Sequence, residues 1–217
     1  MAGTGTPRAD AAAAWAAAID GVDPLRLVRA LPRRTFATGP RGRVLVVGGG
    51  KAAAGMAAGV AARLADEGPT TWSGIVSVPE GCGRAVPGIV VRETRPAAAN
   101  LPTAAVVEAT GEMLSMVARA GPDDLVLVLV SGGGSALLAA PRPGIPLAEK
   151  IAVAGHLSGA GASITEMNRV RRAASLVKAG GLARACRAGT MRVQIGRAHV
   201  ELQSRQYLVC RLLLEKK

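Results

Sequence analysis

The pattern of apolar and polar residues predicts a chain in which short strands alternate with helices. The clearest strand covers Leu125 to Val130, six apolar residues in a row that end at Ser131-Gly-Gly-Gly-Ser135. A continuous apolar run rich in valine and bounded by turn residues is typical of a strand buried on both faces of a parallel sheet. A second strand, Arg43 to Val47, also ends in three glycines, and Lys51 follows them.

The remaining elements are predicted from local signals for helix starts, helix ends and turns. They are helices over Ala9 to Asp20, from Pro24, from Lys51 to about Glu67, from Pro102 to about Ala120, from Pro146 to about Leu157 and from near Glu166, and strands over Ser73 to Val78 and Gly88 to Arg92. This alternation predicts an α/β fold, a Rossmann-like doubly wound, mostly parallel sheet with helices on both faces. Such sheets bind ligands beyond the carboxyl ends of their strands, so both glycine loops are expected to face one crevice.

The composition changes along the chain and suggests its boundaries. We expect a disordered start over residues 1–8 and a single domain over residues 9–190. Residues 191–217 contain all three glutamines, the only tyrosine and one of the two histidines. Within them, Ile195 to Lys217 resembles translated sequencing-adapter read-through, so we expect a non-native tail that packs poorly. The alternative is a genuine amphipathic terminal helix.

Composition also argues against several classes of function. The formal net charge is +12, but aromatic residues make up only 2% and the arginines are scattered, which does not favour nucleic-acid binding. The longest uncharged stretch, Leu125 to Pro141, is interrupted by glycines and a proline, so no membrane span is expected. No signal peptide is predicted, and Cys82, Cys186 and Cys210 lack metal or disulfide spacing. We therefore expect a cytoplasmic protein with a small anionic ligand.

The first glycine loop, Gly48-Gly49-Gly50, places Lys51 at the start of a helix. It is not a Walker A loop, because no Lys-Ser or Lys-Thr pair closes it, and it fits a dinucleotide fingerprint only loosely. Lys51 is a candidate to hold a phosphate or a carboxylate at the helix N-terminus. The alternative is a tight strand-to-helix turn with a solvated lysine.

The second loop, Ser131-Gly132-Gly133-Gly134-Ser135, is a candidate nest of backbone N–H groups for an anion. Nucleophilic catalysis is less favoured, because Gly-x-Ser-x-Gly is absent and His156 is the only histidine before the tail. A glycine turn that is needed only for packing is the alternative.

Further along, Asn168 and Arg171 share a helix face by their spacing and are candidates to reach one ligand together, beside Glu166. The alternative is an ordinary solvated face of a helix that Thr165 caps.

Taken together, these motifs resemble the D-glycerate 2-kinase family of two-domain glycerate kinases. The resemblance rests on Gly48 to Ala57, Asp124 to Leu138 and Ser158 to Lys178, and it covers roughly residues 10 to 187. It implies ATP-dependent phosphorylation of the 2-hydroxyl of D-glycerate, with Mg²⁺, in a cleft between an N-terminal Rossmann-like domain and a C-terminal domain. D-glycerate and the nucleotide would be the partners.

The resemblance also implies roles for individual residues. Lys51 would be the active-site lysine, which offsets charge on the transferring phosphoryl group or on the substrate carboxylate. The residues that would bind substrate or phosphate are Gly48, Gly49, Gly50, Ser131, Gly132, Gly133, Gly134, Ser135, Glu166, Asn168, Arg171 and Lys178. No metal ligand is assigned, and either loop remains a candidate for ATP.

The chain departs from the family pattern in three places. Arg95-Pro-Ala-Ala-Ala99 stands where the family has His-Pro-x-Pro-Asp, Lys178-Ala-Gly-Gly-Leu-Ala183 lacks the family's arginine, and an insertion lies near Gly159 to Gly161. The sequence also ends before the family's Asp-rich stretch and C-terminal domain, which supply metal ligands and a catalytic arginine. We therefore expect a truncated kinase with little or no activity. Two alternatives stay open, an NAD(P)-dependent hydroxypyruvate reductase and a non-catalytic anion-binding α/β domain.

Overall fold

The computed structural model describes residues 6–68 and 70–195. Its centre is a five-stranded sheet in which all strands run parallel, in the order β3-β2-β1-β4-β5. The strands are β1 (Val44–Gly49), β2 (Trp72–Pro79), β3 (Ile89–Arg95), β4 (Leu125–Val130) and β5 (Thr190–Ile195). The predicted α/β fold with a parallel sheet is confirmed.

The helices of the described residues are α1 (Pro7–Gly21), α2 (Pro24–Arg29), α3 (Ala53–Glu67), α4 (Ala104–Ala118), α5 (Gly134–Leu137), α6 (Leu147–Gly159), α7 (Ile164–Ala173) and α8 (Gly181–Ala185). Thr6 caps α1 by accepting the N–H of Ala9 at 3.3 Å. The prediction of a disordered start is therefore wrong for residues 6–8, while residues 1–5 lie outside the described residues. No helix in the described part of the chain is long and apolar enough to cross a membrane.

Alternate residues of the strands pack into two separate cores, one on each face of the sheet. In β1, Val44 and Val46 belong to the core that contains Met56 of α3, while Leu45 and Val47 belong to the core that contains Met113 of α4. Helices thus cover both faces, as predicted. Burial on both faces explains why the central strands are apolar throughout.

The winding direction of the chain reverses between β1 and β4, which are neighbours in the sheet. The chain passes from β1 to β2 through α3 on one face, and from β3 to β4 through α4 on the other. The space beyond the carboxyl ends of β1 and β4 is therefore the topological switch point, where open parallel sheets bind ligands. Both predicted glycine loops begin there.

The loops that follow β1 and β4 are hydrogen-bonded to each other. The Lys51 N–H donates to the Gly132 carbonyl at 2.9 Å, and the Ser131 N–H donates to the Gly49 carbonyl at 3.3 Å. The buried Ser131 hydroxyl accepts the N–H of Ala52, the N-cap residue of α3, at 3.0 Å. The two loops therefore form one junction at the same edge of the sheet.

This junction requires glycine at some positions and tolerates side chains at others. A Cβ at Gly48 would overlap the Leu129 carbonyl, and one at Gly50 would overlap the Ser131 hydroxyl. Gly50 also has φ +146°, a value that residues with side chains rarely adopt. Gly132 differs, because no atom lies within 4 Å of the position that its Cβ would take.

The helices α6 and α7 contact each other but contribute no buried residue. The chain rejoins the core at Ser175, which bridges to Pro141, and the Leu176 N–H donates to the Ala140 carbonyl at 2.8 Å. The α6–α7 pair is thus attached to the core near the end of the second glycine loop and not packed on the sheet.

β5 corrects the predicted start of the tail. Thr190–Ile195 pairs in parallel with β4 along its whole length, and Met191 and Gln194 are 5% and 4% exposed. Residues 191–195 therefore belong to the fold, and the boundary at residue 191 is wrong for them. The rest of the adapter-like segment, residues 196–217, lies outside the described residues.

The glycine contacts predict a contrast between two substitutions. Gly50→Ala should lower the free energy of unfolding by about 2 kcal/mol or more, because it combines a disfavoured φ with an overlap at Ser131. Gly132→Ala should change it by less than about 0.5 kcal/mol, because its methyl group meets open space. Urea denaturation measures both, and equal losses would contradict the proposed role of Gly50.

The buried side chain of Gln194 is a position where a substitution should stabilise the fold. Its Nε2 and Oε1 atoms are buried and have no hydrogen-bond partner among the described residues, and a buried unsatisfied amide costs about 1–3 kcal/mol. Gln194→Leu should therefore raise the free energy of unfolding by about 1 kcal/mol, whereas Gln194→Glu should lower it. Urea denaturation tests both variants, and a less stable leucine variant would show that the amide is satisfied in solution.

Candidate functional site

The loop between β4 and α5 leaves two adjacent N–H groups free. In residues 6–68 and 70–195, neither Gly132 nor Gly133 donates its N–H to an acceptor. Gly133 has a left-handed conformation with φ +80° and ψ −3°. Consecutive free N–H groups beside a left-handed residue are typical of an anion-binding nest. Gly132 is exposed, so an anion can approach this nest from solvent.

Two positive side chains flank the nest. From the position that a Cβ would take at Gly133, the Lys51 Cγ atom is 4.0 Å away and the Arg95 Nη2 atom is 3.1 Å away. Lys51 is exposed, whereas Arg95 is 2% exposed at the end of β3. Arg95 donates through Nη1 to the carbonyls of Pro96, at 3.0 Å, and Ala99. Neither cation forms an ion pair in the described part of the chain.

A second group of positive charges gathers at Ser135. The Ser135 hydroxyl oxygen accepts hydrogen bonds from Arg171 Nη2 at 2.8 Å and from Lys178 Nζ at 2.6 Å. The structure thus brings together three of the predicted site residues, although 36 and 43 positions separate Ser135 from the two cations in the sequence. The O–H of Ser135 remains able to donate to a ligand, because a hydroxyl is both donor and acceptor.

Lys150 on α6 belongs to the same group, although the sequence analysis did not assign it. Its Nζ atom is buried and lacks a hydrogen-bond partner among the described residues. Burial and the positive charge of Arg171 lower the pKa of Lys150. Burial, followed by the charges of Arg171 and Lys150, lowers the pKa of Lys178 to about 8. We call Ser135, Lys150, Arg171 and Lys178 the Ser135 cluster.

Within the described residues, no cation of the Ser135 cluster forms an ion pair, although Glu149 lines a small cavity together with Lys150 and Arg171. All ion pairs found there join other residues, such as Arg92 with Glu112. Adjacent cations that form no ion pair repel each other and attract anions. The cluster is therefore a second candidate site for a negatively charged group, next to the nest.

Glu166 and Asn168 have other contacts on α7. The Glu166 carboxylate accepts the hydroxyl of Ser163 at 2.8 Å and its N–H at 2.9 Å in a capping box, and these hydrogen bonds lower the pKa of Glu166. Ser163, and not Thr165, is thus the capping residue. Asn168 is exposed, and its backbone carbonyl accepts a hydrogen bond from Arg172 Nε at 3.1 Å.

The residues of the first glycine loop serve mainly the junction. Gly48 and Gly49 are the buried end of β1 and pair with Leu129 and Val130 of β4. A Cβ at Gly134 would lie 2.8 Å from the Gly49 carbonyl. For these glycines, the alternative interpretation of a turn needed for packing fits the structure, and the free N–H groups belong to the second loop.

A cavity of about 580 Å³ opens beside Ser135 and Lys178. Its other walls are mainly apolar and include Met113 of α4, Val128 of β4 and Val193 of β5. Cavities of this size accommodate drug-sized ligands. A ligand with an apolar part in this cavity would place its charged part at the Ser135 cluster.

Comparisons with known proteins give the family of the chain. Residues 10–195 match the family described as Domain of unknown function (DUF4147). An Agrobacterium vitis protein, named provisionally as a hydroxypyruvate reductase, is 43% identical over 170 residues, which are 78% of this chain and 36% of that protein. The glycerate kinase of Rattus norvegicus is 40% identical over 153 residues, which are 64% of this chain and 28% of that enzyme.

A solved structure supports the same relationship. The crystal structure of glycerate kinase from Thermotoga maritima matches with a TM-score of 0.69 at 30% identity, over 82% of this chain and 41% of that one. The chain spans about a third of the length of its curated relatives. The resemblance to glycerate kinases is thus confirmed, and the chain belongs to the DUF4147 family, the N-terminal domain family of glycerate kinases.

Proposed function

We propose that the chain is part of an ATP-dependent glycerate 2-kinase, which transfers the γ-phosphoryl group of ATP to the 2-hydroxyl of D-glycerate. The observation that carries this proposal is the unpaired positive charge at the switch point, in Lys51, Arg95 and the Ser135 cluster. Both substrates are anions, and enzymes of this class act mainly by positioning and electrostatic stabilisation. The glycerate kinases among the relatives supply the substrate of the proposal.

Lys51 and the nest would act where the γ-phosphoryl group of ATP meets the 2-hydroxyl of glycerate. In the reaction, the 2-oxygen of glycerate forms a bond to the γ-phosphorus, and the bond from that phosphorus to the bridging β–γ oxygen breaks, which releases ADP. The proton of the 2-hydroxyl is released to solvent. The Lys51 ammonium and the N–H groups of Gly132 and Gly133 would hold the transferring phosphoryl group or the neighbouring carboxylate. Donors already fixed by the fold stabilise the developing charge without reorganisation.

The family resemblance also implies Mg²⁺, but the side chains gathered at this site do not fit a metal ion. The described residues contain no group of three or more His, Cys, Asp or Glu side chains that could hold one, and Mg²⁺ prefers carboxylate and phosphate oxygens. No step of the proposed reaction is therefore assigned to a metal held by these residues.

The hydroxypyruvate reductase alternative requires a pyrophosphate at the N-terminus of α3. The N–H of Lys51 donates instead to Gly132, and the N–H of Ala52 donates to Ser131. These engaged groups favour the kinase over the dinucleotide-dependent enzyme. A non-catalytic anion-binding domain would use the same site without turnover.

Turnover distinguishes these proposals. ADP formation from ATP, D-glycerate and Mg²⁺ is measured for the 217-residue chain and for a version extended to the full length of its relatives. We expect D-glycerate-dependent ADP formation by the extended version, with 2-phosphoglycerate identified by phosphorus NMR. Lys51→Met should lower kcat by roughly a hundredfold without loss of stability, because Lys51 is exposed. Reduction of hydroxypyruvate by NAD(P)H, without glycerate-dependent ADP formation, would contradict the proposal.

The pKa of Lys178 predicts how anion binding depends on pH. Because this pKa is lowered to about 8, the positive charge of Lys178 is lost as the pH rises past that value. The affinity for ATP, whose phosphates are fully ionised in this range, should fall above about pH 8 in calorimetric titrations. Lys178→Arg should reduce this dependence, because arginine stays protonated, and a pH-independent affinity of the unmodified chain would contradict the assignment.

The lowered pKa of Lys178 also predicts how stability depends on pH without ligand. Here the trend is opposite to that of ATP affinity, because the contribution of Lys178 rises with pH. Unfolded Lys178 keeps its proton up to about its ordinary pKa of 10.5, whereas the folded state releases it at about 8. Between these values the unfolded state binds more protons, so the contribution of Lys178 to the free energy of unfolding rises with pH. Urea denaturation of the chain and of Lys178→Met over this range isolates that contribution.

A further inference from the structure

Lys150 distinguishes the Ser135 cluster from an ordinary basic surface. Its Nζ atom is shielded from solvent and has no hydrogen-bond partner among the described residues, and a buried ammonium without a partner is unfavourable. It also lies on α6, a helix with no buried residue, so core packing does not explain its position. A negatively charged ligand would supply the missing partner.

The three cations of the cluster act on one another at close range. The positive charge of Arg171 lowers the pKa of both Lys150 and Lys178, and that of Lys150 also lowers the pKa of Lys178. A single carboxylate would neutralise only one of these charges. A polyphosphate carries several negative charges and many acceptor oxygens, so it matches three cations and the Ser135 hydroxyl.

We propose that Lys150, Arg171 and Lys178 bind the polyphosphate of the nucleotide together with Ser135, and that the Lys150 ammonium, which is shielded from solvent without ligand, turns toward the polyphosphate to contact it. Lys51 and the nest at Gly132 and Gly133 are then left for the sugar acid and the transferring group. The identity of the nucleotide rests on the proposed function, but polyphosphate binding at this cluster does not.

The surroundings of the cluster fit this occupant. The mainly apolar cavity of about 580 Å³ includes both Ser135 and Lys178 in its lining, so a nucleoside in the cavity would have its phosphates at the cluster. Lys150 and Arg171 lie on α6 and α7, whereas Ser135 and Lys178 lie outside that pair. Bound polyphosphate would therefore bridge the α6–α7 pair to the core.

The test measures binding of inorganic tripolyphosphate to the 217-residue chain by calorimetry at low ionic strength. Lys150→Met should weaken binding about tenfold, which is typical for loss of one charged hydrogen bond. Lys150→Arg should restore the affinity to within about threefold, because it keeps the charge. Arg169→Met is the matched control, because it removes one exposed charge from α7 and should weaken binding less than about twofold through screening.

Thermal unfolding without ligand separates binding from folding. Lys150→Met removes a buried, unpaired charge, so its Tm should equal or exceed that of the unmodified chain, and lost binding then cannot result from unfolding. The proposal is overturned if Lys150→Met binds tripolyphosphate as tightly as the unmodified chain, or if Arg169→Met weakens binding as much. Lys150-dependent binding by the 217-residue chain, without glycerate-dependent ADP formation by the extended version, would instead refute only the proposed function.

Discussion

The hydrogen bonds between the loop after β1 and the loop after β4 hold the carboxyl ends of the two central strands together. They form because Gly50 leaves room for the Ser131 hydroxyl, which accepts the N–H of Ala52. The same junction engages the N–H of Lys51 with Gly132 and leaves the N–H groups of the second loop free. It therefore favours the second loop over the first as the place where backbone N–H groups would hold an anion, at the point where parallel sheets bind ligands.

Unpaired positive charge gives this junction its proposed chemistry. Elsewhere in the described residues, several arginines pair with carboxylates, as Arg29 does with Asp66, and such exposed pairs contribute little to stability. Around the second loop the described cations form no ion pairs, and part of their charge is removed from solvent, in Arg95 and in the Nζ atom of Lys150. Charge in a partly desolvated site interacts more strongly with an anionic ligand than charge in water.

The sequence predicts the parts of the fold that depend on local patterns. β4 has the predicted range Leu125–Val130, because a buried parallel strand is a continuous apolar run that ends at glycine. β5 was missed because Thr190–Ile195 lies at the sheet edge, where only one of its neighbours is a strand and polar residues alternate with apolar ones. Lys150 was missed because its proximity to Lys178 depends on how α6 joins the core. No spacing in the sequence indicates such a contact. Arg95 differs, because its position at the end of a strand indicates that it lies on the ligand-binding side of the sheet.

The central claim is that anionic ligands bind at the free N–H groups of the second glycine loop. The most direct measurement is a ¹H–¹⁵N NMR titration of the labelled chain with D-glycerate and with ATP. The account predicts that the amide signals of Gly132 and Gly133 shift most with D-glycerate and also shift with ATP, while those of Gly42 and Gly121, at the opposite end of the sheet, stay unchanged with both ligands. Saturating shifts confined to the opposite end, or none at any ligand concentration, would contradict the account.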